Sequence, residues 1–198
     1  MKVNLISPDI YEIENFISVE EQKNVLDYCK SLDESEWWTN DLKASEFFNG
    51  KIKLGDKPDF FLDIDEKIKH LFFEIHKIYP IGLNRHLETN FMKPHRDYDP
   101  LSNTLPDEHI RYGIVLYYND NYDGGAVNYP EVGIVHKPKA RSLLIHGGHI
   151  LHGTTKVSSS DVRYFSTTFV FGTKEKSVSL NKSIFGDIEQ SDGYKYSI

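Results

Sequence analysis

The sequence is nearly without cysteine: Cys29 stands alone among 198 residues. No internal disulfide can form, which fits a reducing compartment, so the expected location is the cytoplasm. Long apolar runs are also missing. The N-terminal stretch MKVNLISPDIYEIENF has no apolar core, and no segment approaches the length that spans a bilayer, so no membrane association is expected. Basic residues are in deficit, 23 Lys and Arg against 30 Asp and Glu, for a formal charge of −7. That excludes a broad electrostatic attraction to nucleic acid or anionic lipid. Internal repeats and low-complexity blocks are absent too. With 39% hydrophobic and 27% charged residues, the chain has the composition of an ordinary globular domain, large enough to bury a core without staples.

Histidine and aromatic residues are plentiful. There are nine histidines, and aromatics make up 13% of the chain. Five of the histidines fall between His109 and His152.

The first half reads as mixed α and β. IYEIENFI (10–17) alternates as a strand does. Ser18 and Glu21 then form an S-x-x-E capping box ahead of a helical stripe of Val25, Leu26, Cys29 and Leu32. A second stripe, Ile64, Ile68, Leu71, Ile75 and Ile78, predicts a helix that Pro80 stops. Between them, Trp37, Trp38 and DLKASEFFNGKIKLGDKP read as loops with one short strand. From residue 82 the pattern changes to short β-branched or aromatic runs: RHLETNF, RYGIVLYYN, AVNYPE, GIVHKP, RSLLIHG and VRYFSTTFVFG. They are divided by DYDPLSNTLPDEH, DNYDGG and SSSD. Frequent short strands with turn signals between them predict a sandwich or barrel of jelly-roll type. The expected fold is therefore mainly β with two supporting N-terminal α-helices, in one domain spanning 1–198. Helical support would occupy 1–81, the β core 82–172, and a peripheral tail 173–198.

Within FMKPHRDYDP, His95 and Asp97 lie two apart at the border of a long polar loop. On a strand, residues i and i+2 share a face, so the two can converge on one point. A third ligand is needed for a transition-metal site, and two histidines with one carboxylate on one octahedral face leave positions open for chemistry. LHGTTKV offers His152, while His146 and His149 nearby stay as alternatives. His86 and Glu88 repeat the spacing inside a strand pattern and are set aside. Arg163 opens an apolar and aromatic strand eleven residues after His152. Pointing inward, it must meet an anion, and its planar fork matches a carboxylate with two parallel bonds.

HRD (95–97), YYNDNYDGGAVNYPE (117–131), KPKARSLLI (137–145) and HGTTKVSSSDVRYFSTTF (152–169) together resemble the core of the Fe(II)/2-oxoglutarate-dependent dioxygenases, most of all the prolyl 4-hydroxylase branch. The resemblance covers roughly residues 85 to 170, in order, and implies a double-stranded β-helix. It implies that His95, Asp97 and His152 bind Fe(II), that Arg163 pairs with the distal carboxylate of 2-oxoglutarate, and that Tyr117 helps hold that carboxylate. It further implies O2 as oxidant, succinate and CO2 as products, and ascorbate as reductant. The segment before HRD departs from the family in lacking a glycine-rich turn and an upstream tyrosine, and His146 stands where an apolar or aromatic residue is usual. The branch that demethylates nucleic acid carries a second arginine six residues after the first; here that position is Phe169. The substrate implied is thus a peptide or protein, acted on by a monomer or weak homodimer, with no nucleic acid. The length of loop 98–112 makes it a natural lid or substrate-recognition element. Two rivals remain: a dioxygenase acting on a small molecule, and a cupin-like metal-binding or structural protein without turnover, which gives Arg163 no role.

Overall fold

The computed structural model describes residues 2–39, 51–53, 56–98, 108–173 and 178–186. The N-terminal part contains strands β1 (Lys2–Ser7) and β2 (Ile10–Glu14), helix α1 (Val19–Ser31), strands β3 (Trp37–Thr39) and β4 (Lys51–Lys53), and helix α2 (Phe60–Lys69). Two short strands, β5 (Phe72–Phe73) and β6 (Lys77–Ile78), lead into β7 (Gly82–His86), β8 (Met92–His95) and β9 (Glu108–Tyr117). Then come β10 (Val127–Tyr129), β11 (Ile134–His136), β12 (Leu143–Gly147), β13 (His152–Thr154) and β14 (Arg163–Thr173). Strand β15 (Ser179–Leu180) and helix α3 (Lys182–Phe185) close the described chain.

The molecule is mainly β, with antiparallel sheets. The larger sheet runs β1-β2-β12-β9-β14-β7-β4-β3, with β6 also paired to β14; the smaller runs β11-β10-β13-β8. The larger sheet is covered on both faces, so alternate residues of its central strands enter two different cores. Along β9, Tyr112, Ile114 and Leu116 turn toward the helices, into a core shared with Val25 and Cys29 of α1 and Phe61, Ile64 and Ile68 of α2. The alternate residues Gly113, Val115 and Tyr117 turn toward the smaller sheet, where Tyr117 joins Ile10, Val127, Tyr129, Leu144 and Phe165 in a second core. One strand thus packs the support with one face and builds the cavity with the other.

Helix α1 begins at the expected capping box: the Glu21 amide donates to Ser18 Oγ (3.1 Å), and the Ser18 amide donates to Glu21 Oε2 (2.8 Å). Helix α2 is shorter than its stripe predicts. It ends at Lys69, and the Ile75–Ile78 part of the pattern is not helical. Phe72 and Phe73 pair instead with Leu180 and Ser179, and Glu74 takes a left-handed φ of 56° that no helix continues through. Tertiary pairing overrides the periodicity here. The segment after Gly172 is likewise not wholly peripheral, because Val178, Leu180 and Phe185 are buried in the core. Of the expected lid at 98–112, residues 99–107 lie outside the described residues, and 108–112 belong to β9. No helix among the described residues is long and apolar enough to cross a membrane.

Candidate metal centre and anion pocket

Strands β8 and β13 are neighbours in the smaller sheet, and their register sets His95 directly opposite His152. The ring centroids are 4.4 Å apart. Asp97, just past the end of β8, brings Oδ1 to 3.4 Å from His95 Nε2 and 3.9 Å from His152 Nε2. Donor atoms of the three residues all lie within 4.8 Å of one another. The fold thus joins two residues of one strand end with a third 57 positions away in sequence.

Backbone contacts set both imidazoles. His95 Nδ1 lies 3.0 Å from the Lys93 carbonyl and His152 Nδ1 2.9 Å from the Ile150 carbonyl. A carbonyl only accepts, so Nδ1 of each ring carries a proton, and Nε2 of each ring is the atom turned toward Asp97. Burial pushes the His152 imidazole down to about 3, helped by His146, which keeps it neutral as a ligand must be. Burial alone would raise the Asp97 carboxyl, but the His146 and His95 imidazoles outweigh it and hold the group ionised well below the usual carboxylate range. The donor set therefore fits a divalent metal of the imidazole–carboxylate kind with open positions, as ferrous iron takes.

The same cavity, about 200 Å³, is walled by Val115, Val127, Leu144, Phe165 and Phe169 and also receives Tyr117 and Arg163. Arg163 is only 1% exposed. Its Cζ sits 5.1 Å from the Tyr117 ring centroid and 4.2 Å from that of Phe165. Among the described residues no carboxylate pairs with it; its Nη1 donates to His86 Nδ1 at 3.1 Å, and its Nε has no partner. The hydroxyls of Tyr117 and Tyr122 also lack a well-formed hydrogen bond. Burial pushes both hydroxyls up from their ordinary value, and the neighbouring guanidinium only partly offsets this. A buried cation beside two buried hydroxyls has the chemistry to receive a carboxylate.

Other histidines take places that the spacing did not reveal. His149 does not line the cavity; its Nε2 lies 3.8 Å from Asp9 Oδ2, and it is not part of the three-donor group. His146 lines the cavity, next to Asp97. His86, set aside as half of a repeat of the H-x-D spacing, is fully buried and pairs across the sheet with Arg163; Glu88 lies beyond the strand, in a turn. Because a guanidinium only donates, His86 Nδ1 accepts, and burial followed by the Arg163 charge keeps this imidazole neutral. Strand pairing was the signal that identified it, and it is invisible before β7 and β14 are known to be neighbours.

No protein-family model and no curated protein sequence matches the chain. Solved structures do. A viral collagen prolyl hydroxylase from Paramecium bursaria Chlorella virus-1, in complex with 2OG, aligns with TM-score 0.63 at 14% identity, over 84% of this chain and 97% of its own. A prolyl hydroxylase from Trichoplax adhaerens, in complex with a hypoxia inducible factor oxygen degradation domain peptide fragment, aligns with TM-score 0.64 at 16% identity, over 83% and 84%. A prolyl-4-hydroxylase from Pseudomonas putida gives 0.60 at 14%, over 83% and 92%. The fold is the one these proteins share.

Proposed function

We propose that the chain is an Fe(II)- and 2-oxoglutarate-dependent dioxygenase of the prolyl 4-hydroxylase type, which hydroxylates a C–H bond of a peptidyl substrate and releases succinate and CO2. One observation carries the reading: a three-donor set and a buried arginine, with no acid beside it among the described residues, share one apolar-walled cavity. His95, Asp97 and His152 would hold the iron. Arg163, with Tyr117, would take the distal carboxylate of 2-oxoglutarate. Bound iron supplies the activation of O2 that couples decarboxylation of the cosubstrate to C–H hydroxylation, with ascorbate keeping it reduced.

The chain's own part is binding, orientation and exclusion of water. The Lys93 and Ile150 carbonyls fix the two imidazoles, and their Nδ1–H groups make the rings better donors. On β9, Gly113 stands at the carboxylate end and Tyr117 four residues on, a rise of about 13 Å between the two ends of the cavity. The side chains of Asp97, just past β8, and Arg163, on β14, reach into this interval. Val115, Val127, Leu144 and Phe165 keep it dry and strengthen both electrostatic contacts.

Support for a peptidyl substrate comes from the fold neighbours, which are named as prolyl hydroxylases and include one holding a peptide fragment. The two helices back the larger sheet of a double-stranded β-helix within a single domain, and we read the protein as a cytoplasmic monomer or weak homodimer. A metal-binding protein without turnover gives no account of Arg163. The test supplies Fe(II), ascorbate, 2-oxoglutarate and a library of proline-containing peptides, with succinate and peptide mass as readouts. The expected result is succinate together with a peptide heavier by one oxygen, both lost in Asp97→Ala. Succinate formed equally well by Asp97→Ala would sink the assignment.

A further inference from the structure

His146 belongs neither to the three donors nor to the arginine pocket, yet it is only 2% exposed and stands against both Asp97 and His152. Its Nε2 lies 3.4 Å from Asp97 Oδ2, the oxygen not used toward His95 and His152. Its ring packs on that of His152 at 3.9 Å between centroids. Neither ring nitrogen has a well-formed hydrogen bond within the protein. Opposite it in the sheet is Gly113. A Cβ there would lie 2.4 Å from Asp97 Oδ2 and 2.6 Å from His146 Nε2, so the approach exists only because position 113 has no side chain.

We propose that His146 is a positioning residue: its Nε2–H holds the outer oxygen of Asp97, so that the carboxylate offers only Oδ1 to a metal. This rests on the metal reading above. A carboxylate free to rotate can bind through both oxygens and occupy one of the positions the chemistry needs; a donor fixed on Oδ2 prevents that. A distance of 3.4 Å is long for a hydrogen bond, as such contacts are before ligands assemble around a site. His146 is not a fourth ligand, since its nitrogen faces the far oxygen and does not join the donor group.

The test loads the protein with Co(II), whose visible spectrum reports coordination number, and compares wild type with His146→Gln, His146→Met and His95→Ala. His146→Met should bind Co(II) about 10- to 100-fold more weakly, with an altered spectrum, whereas His146→Gln, which keeps an N–H donor, should stay close to wild type. Pulsed EPR of the Cu(II)-loaded wild type should count two coordinated imidazoles. Should the Met variant fold poorly, imidazole 15N shifts of the Zn(II)-loaded wild type decide: His146 should carry its proton on Nε2, and His95 and His152 on Nδ1. A count of three imidazoles, a metal-shifted His146 nitrogen, or an His146→Met protein that binds Co(II) like wild type with the same spectrum overturns the proposal. If Co(II) binding is unaffected by His95→Ala, the metal reading itself fails, and this inference with it.

Discussion

At the metal end of the cavity an ionised carboxylate, Asp97, is ringed by the imidazoles of His95, His146 and His152. At the other end a guanidinium is more deeply buried, but its neighbours are the neutral His86, Tyr117 and Tyr122 and the ring of Phe165. The first end compensates its charge with the chain's own residues and stands as a formed site. The second carries a charge that no acid among the described residues compensates, costly to the fold in isolation, which an anion from outside would relieve. Within the proposed site, buried charge is met by neighbouring side chains at one end and would be met by a bound ligand at the other.

The largest expected effect breaks this contrast at the arginine. Arg163→Met keeps the volume and removes the charge. Affinity for 2-oxoglutarate should drop by about 100-fold or more, on the scale of a lost desolvated charge pair, while Co(II) affinity stays within a few-fold of wild type. The metal-free variant should also melt at a higher temperature, because replacing a buried uncompensated ion with an apolar side chain is neutral or favourable. Calorimetry checks both. A lower melting temperature would mean that Arg163 is structurally paired and that the contrast does not hold.

Next is Gly113→Ala. The added methyl collides with the Asp97 oxygen and His146 at the metal end and reaches nothing at the other. Expected are a loss of about 1–3 kcal/mol in stability and much weaker Co(II) binding, with apo-protein affinity for a simple dicarboxylate little changed. Urea denaturation and metal titration separate the two effects.

A smaller effect comes from pH. His152 is held at about 3 and His86 well below its usual value, so each titrates lower in the fold than in the unfolded chain, where histidine stands near 6.5. Below that value the unfolded chain takes up protons that the fold refuses. Their contribution is complete above about pH 7 and declines as pH falls through 6.5 toward 3. His95, raised in the fold, acts in the opposite sense, and the share of Asp97, a depressed carboxylate, disappears only below about pH 4. The metal-free protein should therefore melt several degrees lower at pH 5 than at pH 7. In Arg163→Met, where the charge depressing His86 is gone, the decline should be shallower.

The two ends differ as well in how far the sequence disclosed them. At the proposed metal end the HRD pair at i and i+2 is a local pattern, while His152 is singled out from His146 and His149 by the resemblance of HGTTKV and Arg163 to the family spacing. Arg163 stood out as a charge opening an apolar strand. His86 and His146 left no such trace: their roles come from which strands lie side by side, β7 with β14 and β12 with β9, and one sequence does not encode pairing in a readable form. The same limit explains the misplaced end of α2. Ile64, Ile68 and Leu71 are spaced as a helix requires, but Phe72 and Phe73 answer to Ser179 and Leu180, more than a hundred residues away. In β9, Gly113, Val115 and Tyr117 share the inward face, a period-two alternation that is local once the strand is placed.

The smallest effect sharpens the arginine end. Tyr117→Phe removes one hydroxyl from a fully buried ring and leaves the packing on Phe165 in place. In the free protein that hydroxyl has no well-formed partner, so its removal should leave the melting temperature unchanged or slightly raised. In the complex it would donate to the carboxylate held by Arg163, and its loss should weaken 2-oxoglutarate binding by about 2- to 10-fold, the value of one hydrogen bond at about 0.5–1.5 kcal/mol. The combination is diagnostic: a side chain that serves the ligand costs affinity and no stability when trimmed, whereas a structural hydroxyl costs stability first. Thermal melts and 2-oxoglutarate titrations on the same preparation distinguish the two, and a marked stability loss with unchanged affinity would place Tyr117 in the core alone.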